Sequence, residues 1–139
     1  RTIVENKSII LIDDSLVRGT TCHKIVKMLY ESGAKEVHVR IACPEIKFPD
    51  FYGVDMPTKK ELLAHEKNNH EMCEYIKAKS LRFLSIKGLY KALINGKRNQ
   101  NYPQFSDHYF TGDYPIELED NIENLKFKQL SLLSGKSNN

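Results

Sequence analysis

The stretch that decides the fold is residues 9–21, IILIDDSLVRGTT, in which four apolar residues lead directly into Asp13 and Asp14. A polar turn follows, and beyond it the apolar residues take on the period of a helix. This order predicts a buried strand, a loop and a helix N-terminus, with both carboxylates at the carboxyl end of the strand. In open α/β sheets, ligands bind in the crevice beyond such strand ends. The stretch therefore predicts both an α/β fold and the place of a ligand site.

The residue types in the turn are those of an anion site. Gly19 permits close backbone approach or a positive φ, and the free N–H groups of a turn and a helix start bind phosphate well. Three hydroxyl side chains would add donors for one phosphate group, those of Ser15, Thr20 and Thr21. Because a phosphate would repel Asp13 and Asp14, we expect these to accept hydrogen bonds from sugar hydroxyls or to hold Mg²⁺, which prefers carboxylate oxygen.

A purely structural interpretation of the same stretch is a strand–turn–helix in which Asp14 or Ser15 only caps the helix, since both residue types are good N-caps. It does not account for two acidic residues, an arginine, a glycine and two threonines packed between strand and helix. Arg18 has two interpretations, an anion contact or a pair with Asp13 or a glutamate that shapes the loop. We favour the loop-shaping role.

Composition limits the class of protein. A chain of 139 residues with 40% hydrophobic and 28% charged residues has the make-up of one soluble globular domain. The net charge is only +3, without a basic face interleaved with aromatic residues, so we expect no nucleic-acid partner. No apolar stretch is long enough for a membrane span. Cys22, Cys43 and Cys73 show no CxxC spacing, which favours reduced thiols and a cytoplasmic location.

Further along the chain, patterns predict a second strand and several helices. A helix should open at Thr20 or Thr21 and stop at Gly33, and alternation over 37–41 predicts a strand parallel to the first. Capping signals predict helices over 58–66, after Asn68 or Asn69, and after Ser85. Ile25, Met28 and Leu29 should form the apolar face of the first helix, and a later helix should point Met72, Tyr75 and Ile76 inward. A short buried piece is expected at Leu81, Phe83 and Leu84, and the helix after Ser85 should contain Ile86, Leu89, Tyr90 and Leu93. The five histidines show no metal or nucleophile spacing, and we expect them at the surface or beside a site.

Residues 9–21 resemble the 5-phosphoribosyl pyrophosphate (PRPP) signature of type I phosphoribosyltransferases. The variant with Val17, Arg18 and Gly19 is similar to that of the amidophosphoribosyltransferase family. Further stretches that resemble this family follow in the family's order, and the resemblance covers roughly residues 1–116. They are GAKEVHVRIA at 33–42, FYGVDMPT at 51–58, SL at 80–81, LSIKGL at 84–89 and FTGDYP at 110–115.

The resemblance implies a fold and a domain division. The expected fold is α/β, part of a type I phosphoribosyltransferase fold with a parallel sheet flanked by helices, followed by a C-terminal helical extension. Residues 1–50 would carry the C-terminal part of the transferase domain with its PRPP loop, residues 51–116 the rest of that domain and the extension, and residues 117–139 a tail. A glutaminase domain and the first transferase strands would precede residue 1. We therefore expect a fragment of a larger enzyme that is inactive alone.

The resemblance also implies a reaction, the first step of purine synthesis. Glutamine would supply ammonia, which attacks C1 of PRPP and releases pyrophosphate and 5-phosphoribosylamine. Asp13 and Asp14 would be the catalytic residues and would support Mg²⁺. The PRPP-binding set implied by the signature is Asp13, Asp14, Ser15, Val17, Arg18, Gly19, Thr20 and Thr21. Purine nucleotide inhibitors and a homo-oligomer, a tetramer in the family, are the other expected partners.

One departure from part of the family concerns a cofactor. Some members hold an iron–sulfur cluster through cysteines, and three of those positions fall at Asp50, Ser106 and Tyr109 here. Because such clusters need thiolate ligands, we predict no cluster.

Two alternative functions stay open. A type I phosphoribosyltransferase with a nucleobase acceptor would share the signature, although the stretches at 51–57 and 110–115 argue against it. A non-catalytic PRPP-sensing regulator would need a nucleic-acid surface, which the mixed charge does not offer.

Overall fold

A three-stranded parallel sheet forms the centre of the molecule in a computed structural model that describes residues 3–53 and 58–116. Its strands are β1 (Ser8–Asp13), β2 (Glu36–Ile41) and β3 (Ser80–Phe83), in the order β1-β2-β3. Strand β1 contains the apolar residues 9–12 from which it was predicted and ends at Asp13. The tail predicted at 117–139 lies outside the described residues.

The first strand, helix and second strand form the expected parallel unit. Helix α1 (Thr20–Glu31) connects β1 to β2, and the register sets Ser8 beside Glu36 and Asp13 beside Ile41. The chain leaves α1 at Gly33, whose N–H donates to the carbonyl of Tyr30 at 2.9 Å. Helix α1 therefore ends just before Gly33, the residue at which its stop was predicted.

One face of the sheet and the inner sides of the helices build the core. The buried cluster consists of Leu16, Cys22, Val26, Ala34, Val37, Val39, Ile41, Leu63, Ala64, Met72, Ile76 and Leu81. Helix α1 faces the sheet with Cys22 and Val26, and Leu29 packs against the same cluster. The prediction that Met28 points inward is wrong, because it lies outside this i, i+4, i+7 stripe and is 56% exposed.

The segment predicted as one helix over 58–66 is two short pieces. A 3₁₀ turn (Lys59–Glu61) and helix α2 (Leu63–Glu66) are separated at Leu62, whose backbone is extended. The capping box of Thr58 and Glu61 is present as predicted. A second one, of Asn68 and Glu71, opens helix α3 (Asn69–Tyr75).

The later part of the chain adds a strand and two helices. The short buried piece expected near Leu81 is strand β3, which pairs with β2 so that Leu81 lies beside Val39. The Ser85 hydroxyl accepts from the Gly88 N–H at 3.0 Å and caps helix α4 (Ile86–Ile94). Tyr90 is fully buried, whereas Leu93 is 57% exposed. The prediction that Tyr75 points inward on α3 is wrong, because Tyr75 is 39% exposed. A single turn of helix follows, α5 (His108–Thr111).

No helix in the described ranges 3–53 and 58–116 has the length and apolar character that a membrane span requires.

Candidate functional site

A cavity lies at the carboxyl end of β1, where the ligand site was predicted. Its volume is about 310 Å³, and ten consecutive residues line it, Asp13 to Cys22. All eight residues of the predicted PRPP-binding set are among them. We call residues 14–19, which join β1 to α1, the connecting loop. One continuous piece of chain therefore brings every predicted site residue to one cavity.

The two aspartates stand at the entrance of the connecting loop. Asp13 is half-buried and Asp14 is exposed. The Asp14 N–H donates to Asp13 Oδ1 at 3.0 Å, and the Ser15 hydroxyl donates to Asp14 Oδ1 at 3.1 Å. These local bonds orient both carboxylates beside the cavity.

Gly19 is the N-cap of helix α1 and has φ +75°. This left-handed conformation is the one that glycine adopts at little cost. The structural interpretation in which Asp14 or Ser15 caps the helix does not hold, because Gly19 occupies the N-cap and no side chain caps α1. The first N–H groups of a helix have no acceptor within it, so the backbone at Thr20 and Thr21 can serve an anion.

Cys22 closes the inner side of the cavity as a protonated thiol. It is 2% exposed. Burial, and secondarily the negative charge of Asp13, raise the pKa of the Cys22 thiol to about 11. A thiol with this pKa is a packing group rather than a nucleophile near neutral pH.

Arg18 pairs with a glutamate that lies 43 residues away along the chain. The distance from Arg18 Nη2 to Glu61 Oε1 is 3.1 Å. The structure thus agrees with the loop-shaping role, and Glu61 is a site neighbour that sequence reasoning did not connect with Arg18. The Glu61 capping box was visible in the sequence, but its approach to the connecting loop was not.

The three residues at the family's cysteine positions converge around His108. The His108 imidazole lies 2.8 Å from Asp50 Oδ1 through Nε2 and 3.1 Å from Ser106 Oγ through Nδ1. The ring of Tyr109 has its centroid 4.0 Å from that of His108. His108 is only 1% exposed, which excludes the surface position, one of the two alternatives predicted for the histidines. The absence of a cluster stays a prediction.

Curated proteins named amidophosphoribosyltransferase are similar to this chain over nearly its whole length. No family model matches the chain. A protein of Rhizobium etli named amidophosphoribosyltransferase is 53% identical over 135 residues, which are 96% of this chain and 27% of that protein. One of Staphylococcus aureus with the same name is 49% identical over 126 residues, 91% of this chain and 25% of that protein. The chain therefore spans about a quarter of the length of the curated relatives it matches.

Solved structures agree with the sequence relatives. The chain superposes on glutamine PRPP amidotransferase from B. subtilis complexed with ADP and GMP with a TM-score of 0.77 at 42% identity, covering 86% of this chain and 26% of the other. A structure described as the allosteric regulatory enzyme of purine biosynthesis gives a TM-score of 0.73 at the same identity and coverage. The predicted phosphoribosyltransferase-type fold is thereby confirmed.

Proposed function

Because the chain is homologous over nearly its whole length to about a quarter of amidophosphoribosyltransferase, we propose that it carries the PRPP-binding part of such an enzyme. The reaction converts PRPP, glutamine and water into 5-phosphoribosylamine, pyrophosphate and glutamate. The observation that supports this most is the cavity at the end of β1, which residues 13–22 line by themselves. It combines two carboxylates, hydroxyl donors and a helix N-terminus, the groups that a phosphorylated sugar requires.

The connecting loop and the start of α1 would hold the 5′-phosphate. Backbone N–H groups at Gly19, Thr20 and Thr21 and the threonine hydroxyls offer donors on one side of the cavity. Arg18 adds positive charge to the loop, although its guanidinium is engaged by Glu61. Phosphate binding thus rests mainly on backbone and hydroxyl donors.

Asp13 and Asp14 would act on the ribose. Ammonia attacks C1 of PRPP, the bond from C1 to the pyrophosphate oxygen breaks, and the products are 5-phosphoribosylamine, pyrophosphate and a proton. Positive charge develops on the ribose ring in the transition state, and two fixed carboxylates stabilise it and orient the sugar hydroxyls. Positioning and electrostatic stabilisation supply the rate, without covalent chemistry by the protein.

Mg²⁺ fits this donor set. The ion is usually held by one or two carboxylates together with water and substrate phosphates. The described residues contain no group of three His, Cys, Asp or Glu side chains suited to a metal, and Asp13 and Asp14 meet the smaller requirement. When bound, Mg²⁺ would neutralise charge on the leaving pyrophosphate.

The remaining parts of the proposal concern the setting of the enzyme. Residues 1–50 and 51–116 would form its transferase portion and helical extension, with glutamine hydrolysed elsewhere in the same polypeptide and this chain inactive alone. We also propose a cytoplasmic homo-oligomer, a tetramer, inhibited by purine nucleotides. The complex of the B. subtilis enzyme with ADP and GMP supports the last point.

The test is made in the complete polypeptide that contains this chain. We expect pyrophosphate release from PRPP that depends on glutamine or ammonia, and we expect Asp13→Asn and Asp14→Asn each to slow it by about 100-fold or more, since removal of one preorganised electrostatic group typically has this effect. Glu31→Gln is the matched control, because Glu31 forms an exposed pair with Lys27 on the far part of α1.

Other outcomes identify the alternatives. Release of pyrophosphate only with a nucleobase acceptor would indicate a different type I phosphoribosyltransferase. If the parent and the Glu31→Gln control both bind PRPP and neither turns it over, the protein would be a sensor. Unchanged turnover in both aspartate variants would remove these residues from the site.

A further inference from the structure

Residues 58–63 support the connecting loop from outside the cavity. Arg18 Nε donates to Glu61 Oε1 at 3.1 Å. The Leu63 N–H donates to the carbonyl of Val17 at 2.9 Å. A methyl group added at Gly19 would lie 2.6 Å from Leu63 Cδ2. The Leu63 side chain therefore packs closely against the backbone of Gly19. Three successive loop residues, 17 to 19, are thus held by a segment more than 40 residues away.

Thr58 holds the carboxylate of Glu61 in place. Both the N–H and the hydroxyl of Thr58 donate to Glu61 Oε2 at 3.1 Å. The second oxygen, Oε1, accepts from Arg18. The hydroxyl and then the N–H of Thr58, followed by Arg18, hold the pKa of the Glu61 carboxyl below its usual range. The carboxylate is therefore charged and oriented near neutral pH.

The pair contributes little to overall stability, because both side chains are about half exposed, 54% for Arg18 and 47% for Glu61. The pair acts instead on the order of the connecting loop. A loop that must be ordered when a ligand binds loses affinity through the entropy of ordering, and a loop already held in the binding conformation avoids that loss. The backbone donors at Gly19 and Thr20 lie directly next to the residue that Glu61 holds.

We propose that Glu61 is a positioning residue for PRPP binding, which acts through Arg18 to keep the connecting loop in its phosphate-binding conformation. This inference rests on the proposed function. Glu61 does not touch the substrate; its carboxylate sets the place of the guanidinium, and the guanidinium sets the place of the loop backbone. The consequence is an effect on PRPP affinity rather than on the chemical step.

The experiment compares Glu61→Gln with the parent in the complete enzyme. Glutamine keeps an acceptor for Thr58 but removes the charge that holds Arg18. We expect KM for PRPP to rise by about two- to fivefold, the range that loss of an exposed ion pair allows, with kcat at saturating PRPP unchanged. Glu31→Gln, which breaks the exposed pair with Lys27, is the matched control and should leave both constants unaltered.

A double-mutant cycle shows whether Glu61 acts through Arg18. In an Arg18→Gln background, Glu61→Gln should add nothing to KM. Thermal unfolding of each variant shows whether it is folded. Thr58→Ala replaces Glu61→Gln if that variant is unstable, because it removes the hydroxyl bond to the Glu61 carboxylate together with the capping contact to the Glu61 N–H.

The contrary results distinguish a failure of this inference from a failure of the proposed function. An unchanged KM, an additive effect in the cycle, or a fall in KM because Arg18 is freed to bind phosphate would overturn the proposal while leaving the enzyme's function intact. A parent enzyme that does not turn over PRPP would overturn both the proposed function and this inference.

Discussion

Gly19 is the residue on which the shape of the connecting loop most depends. It ends the loop, caps α1 and holds φ +75°. A Cβ on Gly19 would point at Leu63, which is 7% exposed and has little room to move. A side chain at this position would therefore suffer both from an unfavourable backbone conformation and from close contact.

We expect Gly19→Ala to lower the free energy of unfolding by about 1–3 kcal/mol, chiefly through the backbone conformation. Urea unfolding of the complete enzyme followed by circular dichroism measures it, together with PRPP binding, which should weaken as well. Gly96→Ala is the control, since Gly96 is not in the left-handed region and the atoms nearest to its added methyl would belong to Ile94, at 3.3 Å or more. Equal destabilisation by both changes would contradict the assignment.

At the scale of elements, helices α4 and α5 are joined by a cluster of polar groups around Asp107, which is 3% exposed. Arg98 donates to both carboxylate oxygens of Asp107, at 2.6 and 3.1 Å, and to Asp113 at 2.6 Å. The Tyr90 hydroxyl donates to Asp107 at 2.8 Å. Burial acts to raise the pKa of the Asp107 carboxyl, but the bonds from Arg98 and Tyr90 outweigh burial and lower it.

We expect Asp107→Asn to destabilise the protein by about 2–4 kcal/mol at neutral pH, because it leaves Arg98 and Tyr90 without their charged acceptor. Unfolded Asp107 takes up a proton at a higher pH than folded Asp107, so the carboxylate stabilises the fold above its ordinary pKa of 3.8 and loses that effect as pH falls through the lowered folded value. The difference in free energy of unfolding between Asp107→Asn and the parent should therefore become smaller at acidic pH. Urea titrations at neutral and acidic pH measure it, and a constant gap would contradict the charge argument.

Elements were predictable to the extent that their signals are local. Strands β1 and β2 follow from apolar runs and alternation, and the capping boxes of Thr58 and Asn68 follow from side chains three residues apart. The inward positions of Met28 and Tyr75 were wrong, because helix period alone does not say which part of a broad apolar stripe meets the sheet.

At the scale of the whole molecule, the sheet presents apolar side chains outward. Strand β1 lies at the edge of the sheet within the described residues and pairs only with β2 there. Ile10 and Ile12 are 64% and 73% exposed on the face opposite the core. An apolar strand at an open edge favours association with other chains.

We therefore expect this chain, expressed by itself, to self-associate, and Ile12→Lys to weaken that association at least about threefold by placing a charge on the edge strand. Sedimentation equilibrium over a range of concentrations measures the association constant. Met28→Lys is the matched control, since Met28 is also exposed, 56%, but lies on α1 away from the edge. A similar effect of both substitutions would show that general solubility, rather than β1, governs association.

By itself, the amino-acid sequence determined the order of the first elements and the composition of the candidate site. Residues 13–21 are contiguous, so a strand, a turn and a helix start suffice to bring them to one cavity. Tertiary structure alone decided the contacts between distant parts of the chain. Glu61 meets Arg18, Asp50 meets His108, and Leu63 covers Gly19 only because the path of the whole chain brings these segments together. Local hydrogen bonds and periodicity carry no information about such approaches, since these depend on how the helices pack against the sheet.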